Sequence, residues 1–585
     1  MDGHFILVSV LLSPLLTFLV SGQVFWSVNC GASDFYVDGN AISWMPDTTL
    51  VSNGVAQVVQ SSNSISTVLD TLRVFTSRKK NCYSNPVTRG EKLLVRASFN
   101  YGNYDRLSSP PTFDLHFDGN FWTTVKTTNS GLQMYEATYV AKGDTVSVCV
   151  AQTKSGQFPF MSALEVRSVD SNVYKVVDES RALFLLSRFS YGASGILRFP
   201  QDRYDRIWIP ALAGTKKLTN NAIFIDPTGT NNPPSGIFEN AITVDSTADI
   251  LLLGTVSPSK IPVYITTYFS EVTNLDITGE KRSFQFYETT ALKSVSMSDP
   301  VLPPYGSMTV RYLYNYTVYS ITNISLMSTM NSDLPPLINA IEAFNVSEVL
   351  TDGTHSNDVG GLALLQKAFS VLGEWSGDPC LPAPYSWDWL NCSNSTPPRV
   401  TSLFLDGFEL SGSLPDLRYM DALEIIDLHN NSLTGTIPGF LGTMPNLQQL
   451  NLADNQFSGP IPTSLSNNNK LKLTVTGNPS VCASGESCSS SPGSTTNVSG
   501  SKKKKNSKLP VILGTTIPAF FLIWVAVGIV IIIKKKNKLA TNANLPSATV
   551  SGANENSGGG ANGDSTIVHN TGEEIINEND IVVVQ

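Results

Sequence analysis

The sequence predicts a mainly β protein: two tandem β-sandwiches, a short solenoid of repeats, one transmembrane helix and a disordered tail. Three observations carry this. Short alternating apolar segments with turn residues between them fill residues 24–343. A leucine pattern then recurs every 23 to 24 residues, and residues 509–533 run without a charge.

The amino terminus reads as a signal peptide over residues 1–22. Residues 5–20 are apolar and too short for a span, and Val20-Ser21-Gly22 offers small residues for cleavage before Gln23. Met1-Asp2-Gly3-His4 departs from the usual pattern by lacking Lys or Arg. The 509–533 run is long enough to cross a bilayer, which takes about 20 residues at the helical rise. Its flanking lysines are nearly balanced (Lys502–Lys505 and Lys508 before, Lys534–Lys536 and Lys538 after), so they decide little about orientation. Glycosylation frames agree with the signal peptide. Asn315, Asn323, Asn345, Asn391, Asn394, Asn430 and Asn497 each head an Asn-X-Ser/Thr triplet before the run, and none follows it. The expectation is a single-pass type I glycoprotein of the plasma membrane with a large extracellular region. The seven cysteines all precede the run, as an oxidising compartment permits. With 15% charged residues and a net charge of −9, there is no basic field for nucleic acid.

The β region reads as a duplication. Phe158-Pro159-Phe160-Met161-Ser162-Ala163-Leu164-Glu165 returns as Pro335-Pro336-Leu337-Ile338-Asn339-Ala340-Ile341-Glu342. Residues 95–99 correspond to 265–269, and Phe113-Asp114-Leu115 to Phe284-Gln285-Phe286, with the order kept. Two sandwiches of ordinary domain size follow. The motifs Asn29-Cys30-Gly31, Ser43-Trp44, Asn81-Cys82-Tyr83, Arg96-Ala97-Ser98-Phe99, Tyr101-Gly102-Asn103-Tyr104-Asp105, Pro111-Thr112-Phe113-Asp114-Leu115 and Tyr204-Asp205-Arg206-Ile207-Trp208 resemble the plant malectin-like receptors. The resemblance runs over residues 24–480 and implies two malectin-like modules.

An amphipathic helix is expected over residues 359–372, with Leu362, Leu365, Phe369 and Leu372 at helical spacing. It leads into Gly377-Asp378-Pro379-Cys380, which resembles the junction between malectin-like region and repeats in symbiosis-type receptor kinases. That junction is associated with release of the malectin-like part by cleavage, an implication of the resemblance alone. Cys380 and Cys392 have a natural spacing for a disulfide that caps the first repeat. Leu403-x-Leu405, Ile426-x-Leu428 and Leu450-x-Leu452 then open turns of about four leucine-rich repeats. Asn431, Asn455 and Asn478 occupy the asparagine position that satisfies backbone groups, and Phe408 replaces it in the first repeat. Cys482 and Cys488 read as the closing cap. Cys30, Cys82 and Cys149 remain, of which at least one is unpaired within the chain; a lone buried thiol is the preferred reading.

The expected domains are therefore 1–22 signal peptide, 23–185 and 186–346 malectin-like modules, and 347–398 linker with the junction. After these come 399–490 repeats and cap, 491–508 stalk, 509–533 span and 534–585 cytoplasmic tail. The tail is rich in Gly, Asn and Ser and ends in an acidic and then apolar stretch, read chiefly as a spacer. The 52 residues after Ile533 carry no kinase signature, so a receptor-like protein without its own kinase is expected.

No catalytic, cofactor or metal site is expected. The five histidines have no partner at metal-ligand spacing, and no nucleophile elbow or phosphate loop is present. Asp105, Asp114 and Asp118 read as turn carboxylates. Binding is the better reading, because sugar faces stack on aromatic rings. Tyr101, Tyr104 and Trp122, with Asn103 and Asp105 for hydroxyl bonding, are the candidate contacts, while core or hinge packing is the preferred reading of each ring. Tyr204, Arg206 and Trp208 are expected in the second core and the seam. On the repeats, Phe404, Asp406, Glu424, Ile425, Asp427, Gln449 and Asn451 form the candidate surface for a peptide or another ectodomain. The function read from this is a receptor-like protein for a cell-wall glycan or secreted peptide, acting with a kinase-bearing co-receptor. A wall-to-membrane tether without signalling is the alternative, and an enzyme on wall polysaccharide ranks lowest.

Overall fold

The computed structural model describes residues 24–175, 177–211, 216–222, 230–256, 259–291, 293–318, 321–485 and 488. The signal peptide, stalk, Asn497, membrane span and tail expected from sequence lie outside these residues. No helix among the described residues is long and apolar enough to cross a membrane.

The duplication is visible strand by strand. In the first module Phe25–Asn29, Ala163–Val169, Lys92–Phe99 and Gln133–Val140 lie side by side in that order. In the second, Arg181–Tyr191, Ala340–Val349, Ser259–Phe269 and Thr309–Val318 repeat the order. Each module adds a second sheet. It is Lys80–Pro86, Thr145–Gln152, Thr112–Phe117 and Asn120–Lys126 in the first, and Leu251–Val256, Thr322–Ser328, Phe284–Thr289 and Ser294–Ser296 in the second. Alternation explains these strands. Phe113, Leu115 and Phe117 point into the core and are fully buried, leaving Asp114 and His116 on the outer face.

The two main sheets are one. Gln133–Val140 pairs with Arg181–Tyr191, which pairs on its other side with Ala340–Val349, so eleven strands form a continuous sheet. The expected boundary at 185/186 thus falls inside a strand. On the face of Arg96 the seam holds four arginines (Arg96, Arg167, Arg188, Arg198) among Glu136, Glu165, Asp205 and Glu342. Arg188 reaches Glu136 at 2.7 Å and Glu342 at 2.6 Å, tying the first module to the second. Burial opposes the charge on Asp205, yet the hydrogen bond from Arg198 and the charges of Arg96 and Arg167 hold its carboxyl well below the usual range. Trp208 is fully buried against Tyr268, Tyr204 packs in the seam cluster, and Arg206 pairs with Asp202 at 2.7 Å.

The helix before the repeats is Ser356–Ala368, starting earlier than expected because His355 caps it by accepting from Asn357 N–H. It ends before Phe369, and a 3-10 turn over Ser370–Glu374 brings Leu372 into the repeat core beside Leu362, Leu365 and Phe369. The repeats stack Leu390–Cys392, Val400–Phe404, Ile425–Asp427, Gln449–Asn451 and Lys472–Thr474 into one sheet, parallel from Val400–Phe404 onward. Asn431 donates to Leu405 O and Leu428 O and accepts from Leu410 N–H; Asn455 and Asn478 repeat the arrangement. Cys380–Cys392 and Cys482–Cys488 are bonded, Cys82 pairs with Cys149, and Cys30 is free and buried.

Candidate functional site

The loop holding the first set of candidates closes on itself. Tyr101 has 0% exposure and donates its hydroxyl to Asp105 at 2.5 Å. Burial, then that carboxylate, pushes its phenol up to about 12. Tyr104 is half-buried, edge-on to Tyr101 and Phe160. Asn103 accepts from Ser108 N–H at 2.9 Å and Asp105 from Leu107 N–H at 3.0 Å, while Asn103, Arg106 and Ser108 hold left-handed backbone. Trp122, 6% exposed, stacks on Phe184 at 6.2 Å. Tyr101 and Trp122 both fill the core cluster, as the core-packing reading of each ring has it, which leaves neither as a sugar-stacking face. Sequence could not tell these rings from exposed ones, since loop and core aromatics look alike before packing.

The repeat surface is assembled as the leucine spacing implies. Phe404, Asp427 and Asn451 lie opposite one another on successive strands, and Ile425 opposes Gln449. None of these is buried, and Asp406 and Glu424 are exposed beside them. Asp406, Asp427 and His429 bring ligand-type atoms within 4.8 Å of one another, the one such grouping among the described residues. His429 Nδ1 and Asp427 Oδ1 are 2.7 Å apart. That bond raises the imidazole above its ordinary value, with the charges of Asp406 and Asp454 adding to it. The His429–Asp427 hydrogen bond, an ion pair when the imidazole is protonated, holds two of the three groups together. Asn430, exposed at the same edge, heads a glycosylation frame that would shield part of this face.

A third site had no sequence forecast: the junction lies across the outer face of the first module. Asp378 organises it, accepting from Thr354 N–H (2.7 Å), Thr354 hydroxyl (2.5 Å), Cys380 N–H (2.9 Å) and Leu381 N–H (2.8 Å). Lys80 donates to the carbonyls of Asp378 (2.7 Å) and Leu381 (2.9 Å). Burial pulls this lysine down to about 8, against the pull of Asp378 and Asp388. Arg78 pairs with Glu374 and lies 3.8 Å over the Trp375 ring. Ser376 donates to Cys82 O, and Tyr385 donates to Asp114 at 3.2 Å. Gly377, with φ +74°, sits on the Cys82–Cys149 bridge so closely that a Cβ would lie 2.5 Å from Cys82 Sγ. The cleft left between Arg78, Asn81, Trp375 and Trp387 has room for about one water, so this is a closed contact and not a ligand pocket. Trp375 also touches Phe408, the residue that replaces asparagine in the first repeat. The signal for this contact was the dense run of Trp375, Trp387 and Trp389, too aromatic for a solvated linker.

Comparison with known proteins agrees with this architecture. The malectin-like domain profile matches residues 28–346, and leucine-rich-repeat profiles match residues 422–444 and 446–468. An uncharacterized protein of Arabidopsis thaliana is 35% identical over 353 residues, 59% of this chain and 70% of that protein. A leucine-rich repeat receptor-like protein kinase of the same plant is 32% identical over 542 residues, 88% of this chain and 59% of the kinase. The chain spans about half the length of the receptor-like kinases it matches. Among solved structures, the ANXUR1 extracellular domain from Arabidopsis thaliana aligns with 56% of this chain and 97% of its own length, with TM-score 0.48 and 16% identity.

Proposed function

This chain belongs to the malectin-like family and carries leucine-rich repeats behind the malectin-like region, and from that premise we propose that it is a cell-surface receptor-like protein binding an extracellular ligand. The observation that carries this reading is the extent of similarity to receptor-like kinases. One such alignment covers 88% of the chain, more than the malectin-like region alone. In this reading residues 23–490 form the ligand-binding ectodomain, 491–508 the stalk, 509–533 the membrane span and 534–585 the cytoplasmic tail, with the plasma membrane as its site.

The ligand is a cell-wall carbohydrate or a secreted peptide, and the signal passes through a kinase-bearing co-receptor. The repeat surface around Phe404, Ile425, Asp427, Gln449 and Asn451 supports the peptide arm, since it mixes apolar and polar groups on one strand face. Tyr104, Asn103 and Asp105 are the contacts left for a sugar at the rim of the first module. No catalytic residue is assigned.

A glycan array and a peptide-binding screen on residues 23–500, followed by ligand-dependent capture of a receptor kinase, test the proposal. Ligand binding with kinase association is expected. Wall-glycan binding without any kinase association would replace it with the tether reading, and turnover of a wall polysaccharide would replace both.

A further inference from the structure

We propose that residues 375–389 form an acid-released latch on the first module, with His116 as the group whose protonation lifts it. His116 stands on the outer face of Thr112–Phe117, opposite Cys149, which is itself opposite and bonded to Cys82. The junction covers that row from end to end: Gly377 rests on the disulfide, and the Tyr385 ring lies 5.2 Å from the imidazole. Phe121 closes the remaining side at 6.0 Å. The histidine is 1% exposed, and neither ring nitrogen has a hydrogen-bond partner.

No carboxylate is bonded to its ring, and the charge that acts on it is that of Lys80. Lys80, on the adjoining strand Lys80–Pro86, is a second cation, already bonded to Asp378 O and Leu381 O. Asp114, two residues before His116, accepts from Tyr385 and Thr124. Asp118, two residues after, accepts from Tyr139 hydroxyl and Ser147 N–H. The Asp378 carboxylate is taken up by Thr354 and the backbone N–H groups of Cys380 and Leu381, and Asp388 acts on Lys80. A proton on His116 would therefore be a buried, unpaired charge beside a lysine. Lifting Tyr385 is the route that hydrates it without opening the module core, because Tyr385 belongs to the junction.

The direction follows from linkage. Burial, then the Lys80 charge, pulls the docked imidazole down to about 3, whereas a freed histidine titrates near about 6.5. Docking is thus fully stable above about 6.5 and is lost as pH falls, the lifted population growing about tenfold per unit between those limits. Asp118 is held up at about 6 by burial, a shift of opposite sign. Its partners Tyr139 and Ser147 stay with the first module when the junction lifts; the Asp378 charge, the last of the causes acting on it, leaves with the junction and opposes the histidine in part.

The test is hydrogen–deuterium exchange of amides 376–388 in the full-length protein in nanodiscs, from pH 7.5 to 5.0, corrected for intrinsic exchange. Exchange should rise by up to about tenfold per unit below about 6.5 in the wild type and should not rise in His116→Phe, which keeps an aromatic ring but no titrating group at that position. Tyr385→Ala should expose the segment at every pH and carries the comparison if the phenylalanine variant does not fold. A wild-type profile without pH dependence, or the same dependence in His116→Phe, overturns the proposal. So does a His116 resonance titrating near 6.5 while the segment stays protected.

Discussion

The two malectin-like modules are built on one strand order, yet only the first carries the repeats. The row Cys82–Cys149–His116 in the first corresponds to Leu252–Ser325–Tyr287 in the second, by the same pairing of strands. The junction covers the first row; Leu252 in the second is 47% exposed. The two copies therefore share a scaffold and differ at these outward positions, which the junction covers in the first. Lys80, Arg78 and Asp114 add the polar grips that hold the junction there.

Separating the copies should have the largest effect. Arg188→Ala leaves Glu136 and Glu342 buried without their shared partner, which should cost about 3–5 kcal/mol. Chemical denaturation of the ectodomain should show that loss on both modules together. A loss confined to one module would mean that the shared sheet does not couple them.

Glycine substitutions sharpen it. Gly377→Ala places a Cβ against both cystine sulfurs at a left-handed backbone position, with an expected cost of about 1–3 kcal/mol and faster proteolysis at residues 375–389. Gly254→Ala, on Leu251–Val256, the second-module counterpart of the strand that Gly377 covers, meets nothing within 4 Å and should change stability by less than about 0.5 kcal/mol. Equal effects at the two sites would remove the distinction between the faces.

Within the repeats, Asn455→Ala strands buried backbone groups of Leu428, Leu433 and Leu452 and should lower thermal stability by about 1–3 kcal/mol without disturbing the modules. The smallest effect is electrostatic. His429, raised by Asp427, should titrate above its ordinary value by NMR and fall back toward about 6.5 in Asp427→Asn. Being raised, it supports the fold below about 6.5 and loses that support as pH climbs through its folded value. A titration unchanged by Asp427→Asn would show that the pair does not form.

Much of this was legible in the sequence because it repeats. The 158–165 and 335–342 match located equivalent strands, and the leucine spacing placed Phe404, Asp427 and Asn451 in one row. The asparagine ladder was legible for the same reason, since one side chain at a fixed offset satisfies the same carbonyls each turn. What sequence could not separate was one aromatic from the next: Tyr101, Tyr104 and Trp122 carried the same two readings, and the structure buries Tyr101 and Trp122 while leaving Tyr104 half-buried. A seam was expected at Tyr204, Arg206 and Trp208, but the joining of the two main sheets through Arg181–Tyr191 was not, because pairing on both edges of a strand leaves no local mark in its sequence. The junction contact was missed because His116, Lys80 and Tyr385 are far apart in the chain and meet only by packing.

The junction clamps the repeats to the first module as one body. Spin labels at Lys126 and Tyr419, both exposed, measure this directly by double electron–electron resonance at pH 7.5. A single narrow distance distribution in the wild type, broadened in Gly377→Ala, is the predicted result; a distribution already broad in the wild type, and unchanged by that substitution, would contradict it.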